Sequence, residues 1–208
     1  MAFGIIKMYS PARRSKKIGL TQGGRVWNGE PSEKWSRLFP QSTWEKLSNE
    51  TDGLRIIKEN PSKNYFHPCS PVQIRSVLSE LPRNLTEDIR AIVLRRIPKI
   101  DEKLLIDARR WYQCIILNSF PRDLRMIWTY KPSQSTFNHM NIWCDNWSEE
   151  DGAWVLQWTH STIRKYYLYH VLLHEIGHIN DWFHNQRNKR EGFAENFAFE
   201  WARKLGII

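Results

Sequence analysis

Cysteine is scarce in this chain: Cys69, Cys114 and Cys144 are the only three, and they stand far apart. That spacing excludes a disulfide framework and every zinc motif built on paired cysteines, and it makes a reducing, cytoplasmic setting the default expectation. Long apolar runs are missing too. Nothing approaches the roughly eighteen uninterrupted apolar residues of a membrane span, so no membrane association is expected. The opening stretch, MAFGIIKMYSPARRSKK, places a short apolar run ahead of its charges, the reverse of a secretion signal. Internal repeats and low-complexity tracts are also absent, which argues against solenoid and fibrous architectures.

What is present suits one soluble domain with an N-terminal extension. Hydrophobic residues make up 41% of the 208 and charged residues 25%, an ordinary globular balance. Eleven tryptophans supply large apolar surfaces for a core or a binding face. Lys plus Arg outnumber Asp plus Glu by 31 to 22, a net charge of +9 that could attract nucleic acid. The basic residues are scattered, however, apart from Arg13, Arg14, Lys16 and Lys17, and no aromatic-interleaved nucleic-acid motif accompanies them. A soluble basic surface is the simpler reading, with nucleic acid a weakly supported partner.

Residues 1–60 read as a basic, partly ordered arm, with a short helix over 32–39 or 42–49. Residues 61–208 read as an α+β domain. Ser70 caps a helix beginning at Pro71, whose apolar face is Val72, Ile74, Val77, Leu78 and Leu81. Strand-like runs follow at 89–97, 112–119, 124–130, 140–145 and 153–159, with a helix over 101–111 between the first two. Two helices close the chain. One starts at Ser161 or Thr162 and continues to about Asn180. The other covers 190–205, with Ala194, Phe197, Ala198, Trp201 and Leu205 at helical spacing and Gly206 just beyond.

The first closing helix carries HEIGH, with His174 and His178 four residues apart and Glu175 after the first histidine. At about 100° per residue the two imidazoles lie one turn apart on one face, within reach of a single cation. Glu175 lies about 100° round from His174, beside such a cation rather than on it, where a general base for water belongs. The flanking Val171, Leu172, Leu173, Ile176 and Ile179 argue against a solvent-facing polar stripe, because buried polar groups must be paired or ligating. A zinc site needs at least one more protein ligand, and three candidates lie downstream: His184, Glu191 and Glu195. HEIGHINDWFH matches the metzincin spacing to His184 except that Asp181 stands where that family has glycine.

HEIGHIND followed by EGFAENFA resembles the gluzincin-type zinc metallopeptidases, in particular the lethal-factor catalytic domain and more loosely the ImmA/IrrE-type bacterial proteases. The resemblance covers residues 170–202. It implies a zincin-like metallopeptidase domain: a small twisted sheet, an active-site helix, and a C-terminal helix bearing a ligand. It further implies one catalytic zinc ion held by His174, His178 and Glu191, with Glu175 as general base. Glu195 then falls on an acidic position that orients a ligand, and Asp181 on one that bonds a ligating histidine. His184 falls near a position used to stabilise the oxyanion; Tyr166, Tyr167 and Tyr169 are alternatives for that role but read better as packing.

The expected activity is therefore hydrolysis of a protein or peptide substrate. A non-proteolytic zinc-containing regulator and a nucleic-acid-associated module are the alternatives; neither explains Glu175. AWVLQWT, just ahead of the active-site helix, is the candidate strand for pairing with substrate. His67 and Cys69 read as a loop-to-helix junction, and Cys114 and Cys144 as strand core. His160 and His170 lie near the motif but outside its ligand pattern.

Overall fold

The computed structural model describes residues 53–208 together with Ser42 and Thr43. Of the short helix expected in the arm, only Ser42 and Thr43 fall among the described residues, and both are helical. The basic cluster at Arg13–Lys17 lies outside them.

Residues from Leu54 to Ile208 gather into one compact unit. It opens with β1 (Arg55–Lys58) and β2 (Tyr65–Phe66). β1 lies inside the stretch read as arm; four residues are too few to show a period, so its pairing was invisible in the sequence. α1 (Pro71–Glu80) starts where Ser70 and Pro71 predict. The Ser70 hydroxyl accepts from the Gln73 N–H, and the Gln73 side chain accepts from the Ser70 N–H. Ile74, Val77, Leu78 and Leu81 are buried, but Val72 is exposed, since it points about 180° away from their common direction.

Next come α2 (Arg83–Thr86), β3 (Ala91–Arg95), α3 (Lys99–Lys103) and β4 (Ala108–Trp111). The helix expected over 101–111 is thus cut short, and its second half is a strand. β5 (Cys114–Asn118) and β7 (Arg125–Trp128) match the expected runs at 112–119 and 124–130, and β6 (Phe120–Pro121) lies between those runs. The run at 140–145 is not a strand. Ser133 caps α4 (Gln134–Asn141), and the buried Met140, Trp143 and Cys144 follow a helical i, i+3, i+4 spacing into the turn beyond it. The strand lies later, at β8 (Trp147–Glu150), before β9 (Ala153–Gln157). The closing elements are α5 (His160–Tyr166), a π-helical turn (Tyr167–Val171), α6 (Leu172–Asn180) and α7 (Arg187–Lys204).

These elements make a mixed α/β unit with small sheets, in line with the α+β expectation. The largest sheet has the order β1-β3-β5-β4, parallel except for antiparallel β4 at its edge. Every residue of β3 and β5 is buried, as inner strands covered on both faces require. β2 pairs with β6, and β7-β9-β8 form a separate antiparallel sheet. α6 packs against β4, β5 and α7, so the motif helix lies between the main sheet and the last helix. Among the described residues no helix is long and apolar enough to cross a membrane.

Candidate metal centre

The helical run that bears the motif is capped by Thr159, two residues earlier than expected. Its hydroxyl accepts from the Thr162 N–H, and the Thr162 hydroxyl accepts from the Thr159 N–H. The π-helical turn then interrupts the run one turn before the motif. Such turns insert a residue and re-aim the side chains that follow. Here the Tyr166 and Tyr167 hydroxyls both donate to the Asp107 carboxylate, at 3.1 and 3.3 Å. Both tyrosines are buried, with their hydroxyls engaged by Asp107.

α6 and α7 come together at Gly177. A Cβ there would stand 2.9 Å from the Ala194 Cα and 3.1 Å from the Phe197 Cβ, so only glycine permits this approach. Ala194 and Ala198, both fully buried, present the matching small surface. Close packing carries Glu191, at the start of α7, over the two histidines.

His174 Nε2 and His178 Nε2 each lie 3.5 Å from Glu191 Oε2. The imidazoles meet edge to face, with centroids 4.7 Å apart. Both distances exceed the 2.7–3.2 Å of an N–H···O hydrogen bond. They match the edge of about 3.4 Å that a tetrahedral ion with bonds of about 2.0–2.1 Å would span. His174 Nε2 and Glu191 Oε2 are buried without a hydrogen-bond partner, the condition that ligation relieves. Two imidazoles and a carboxylate are also the protein donors of a catalytic zinc site, so these residues fit the ion. Burial alone would lower the pKa of His174, but Glu191 and Glu195 outweigh it and raise it to about 9. Burial would raise that of Glu191, yet the two histidines hold it well below the carboxylate range.

Glu175 is buried in the same helical turn, and among the described residues no hydrogen bond or ion pair engages it. Glu195, a turn beyond Glu191, does not join the three ligand atoms. Its Oε2 lies 3.2 Å from His174 Nδ1, the far side of that ring, close enough for a hydrogen bond but not aligned for one.

His184 and Asp181 form a pair of their own. Asp181 Oδ1 lies 2.9 Å from His184 Nδ1 and accepts from the Phe183 and His184 backbone N–H groups. The carboxylate therefore shapes the turn after α6 and does not bond His174 or His178, against the expectation for this position; Glu195 is the carboxylate nearest the far side of His174. The turn needs no glycine, because Asp181 has φ of −87°. A carboxylate only accepts, so His184 Nδ1 carries the proton. Its Nε2 then accepts when the ring is neutral and donates only as the imidazolium.

β9, the expected substrate strand, is the middle strand of its sheet and is paired along both edges. It has no free edge to offer. His160 is exposed and packs on Phe66. His67 Nε2 contacts the Glu59 carbonyl, and burial pushes the Cys69 thiol up to about 12, as a junction and an inert thiol would have it. Two residues that the sequence did not flag border the centre. Burial and the charge of Arg190 lower the pKa of Arg110 on β4, against attraction from Glu175, Asp181 and Glu191. His139 on α4 lies 2.8 Å from Glu195 Oε1. The capping serine of α4 is the one signal that could have placed His139 on a helix; nothing local ties it to α7.

Comparisons with family models, with curated proteins and with solved structures gave no match for this chain.

Proposed function

We propose that this chain is a mononuclear zinc-dependent endopeptidase of the gluzincin kind. The observation that carries the reading is the pair of 3.5 Å spacings from one Glu191 oxygen to both motif histidines, with the atoms that face each other left without hydrogen bonds. Glu175 supplies the second support: a buried carboxylate beside the ligands that no hydrogen bond or ion pair engages among the described residues. A purely structural ion has no use for it.

A zinc ion at this position would polarise a scissile carbonyl and lower the pKa of water from about 15.7 toward about 7. Glu175 takes the proton of the attacking water, holds it on its carboxylate and passes it to the leaving amine. Arg110, whose charge Glu175, Asp181 and Glu191 attract, would add positive potential to the centre. His184 is held at Nδ1 by Asp181, which leaves Nε2 as the atom that would bond an oxyanion. Peptide bonds are favoured as substrate by the resemblance of HEIGHIND and EGFAENFA to peptidase motifs. The buried free thiols of Cys69, Cys114 and Cys144 are consistent with a cytoplasmic site of action.

The test is metal analysis of the purified protein, paired with digestion of casein or a peptide library with and without chelator. One zinc per chain and chelator-sensitive cleavage are expected. A wild-type protein that binds no stoichiometric metal would overturn the proposal.

A further inference from the structure

Resting on that metal reading, we propose that His139 is a positioning residue for the centre: acting through Glu195, it fixes the ring orientation and tautomer of His174. The Glu195 carboxylate is surrounded by three imidazoles. His139 Nδ1 lies 2.8 Å from Oε1, His174 Nδ1 lies 3.2 Å from Oε2, and His170 Nε2 lies 3.8 Å from Oε2. All four residues are buried.

His139, His170 and Glu195 have the residue types of a second metal site and lie close enough together to form one. Their spacing says otherwise. The 2.8 Å from His139 to Glu195 is a hydrogen-bond distance, shorter than the edge of about 3.4 Å that a shared ion imposes. The ligand trio shows the reverse, with 3.5 Å on both edges. The two clusters therefore differ in spacing: 3.5 Å on both Glu191 edges of the one, 2.8 and 3.2 Å from Glu195 to His139 and His174 in the other.

The chemistry of the carboxylate sets the tautomers. Both of its oxygens accept only, so the imidazole nitrogen facing each must carry a proton. With Nδ1 of His174 protonated, its lone pair is at Nε2, the atom directed at Glu191. His139 holds the opposite oxygen and keeps Glu195 from turning toward His170. The His139 ring is itself fixed, edge-on to His170 at 4.6 Å and to Phe199 at 5.6 Å. His170 in turn stacks on Tyr166 at 5.3 Å. The π-helical turn, which contains His170, thus shares in setting the ligand.

The experiment compares wild type with His139→Leu, which fills the volume without a donor, and His139→Asn, whose amide N–H falls near the position of Nδ1. Zinc affinity is measured by competition with a chromophoric chelator. The His174 tautomer is read in metal-free protein at a pH above its pKa of about 9, where the ring is neutral, from long-range nitrogen–proton NMR correlations. The leucine variant is expected to bind zinc about 10–100-fold more weakly and to show mixed His174 tautomers, with asparagine restoring both. If the leucine variant does not fold, His139→Gln, whose donor falls beyond the Nδ1 position, gives the same contrast against asparagine. Wild-type affinity and a single tautomer without the donor would overturn this inference alone. Two zinc ions in wild type, one of them lost with His139, would overturn it by making His139 a ligand. A zinc-free wild type would remove the metal reading and this inference with it.

Discussion

Gly177 of α6 and Ala194 of α7 touch so closely that a methyl group on the first would lie 2.9 Å from the Cα of the second. This contact sets the separation of the two helices and with it the distance from Glu191 to His174 and His178. Gly177→Ala would force the helices apart against a backbone atom that cannot yield. A loss of about 1–3 kcal/mol is expected, seen as a lower urea midpoint, together with weaker metal retention. Unchanged stability and metal content would show that the helices can part without cost.

The identity of the third ligand separates three substitutions. Glu191→Ala removes the oxygen shared by both histidines and should leave the protein metal-free, as should His174→Ala. His184→Ala should keep its zinc, because that imidazole is engaged by Asp181. Elemental analysis after dialysis decides. Zinc lost with His184 and retained with Glu191→Ala would move the site to the metzincin-like spacing.

Glu175→Gln keeps the size of the side chain and removes its basicity. Since no hydrogen bond or ion pair among the described residues depends on Glu175, folding and zinc content should stay at wild-type levels. Peptide hydrolysis should fall by about 10²–10⁴-fold, the usual contribution of a positioned general base. Full activity in this variant, measured with a fluorogenic peptide, would remove Glu175 from the mechanism.

Asp107 gives a pH dependence of stability. Although the residue keeps some exposure, its carboxyl end is enclosed, and desolvation raises its pKa to about 6 against the opposing bonds from Tyr166 and Tyr167. A raised folded value means that the protonated carboxyl is favoured in the native state. Its stabilising effect is complete below the unfolded value near 3.8 and is lost as pH rises through about 6. The swing is on the order of 2–3 kcal/mol at most. Asp107→Asn should therefore flatten the profile between pH 4 and pH 7, as followed by thermal melting across about that range. A wild-type profile already flat there would contradict the enclosure of this group.

How much of this was legible in advance depends on the range of the interactions involved. The cap at Ser70, the helix from Pro71 and the two closing helices follow from residues a few positions apart, and the structure has them where local rules put them. The run at 140–145 misled because Met140, Trp143 and Cys144 form a helical stripe too short to show its period. The split of 101–111 into α3 and β4 came from pairing with β5, which no local pattern announces. Within the centre, His174, Glu175 and His178 share one helical turn, so their mutual placement was dictated by backbone geometry.

The choice among His184, Glu191 and Glu195 lay beyond that range. Which of them faces both histidines is set by the closeness of α7 to α6 at Gly177 and the alanines opposite it, and by the tying of His184 to Asp181. His139 and Arg110 reach the site only because α4 and β4 are folded against it. The sequence by itself determined that two imidazoles and a carboxylate occupy one stretch of buried helix, because hydrogen-bonded helical turns leave those side chains no other relative arrangement. Tertiary packing alone decided which distant groups complete the site, because contacts between separate elements depend on shape and burial across the whole unit.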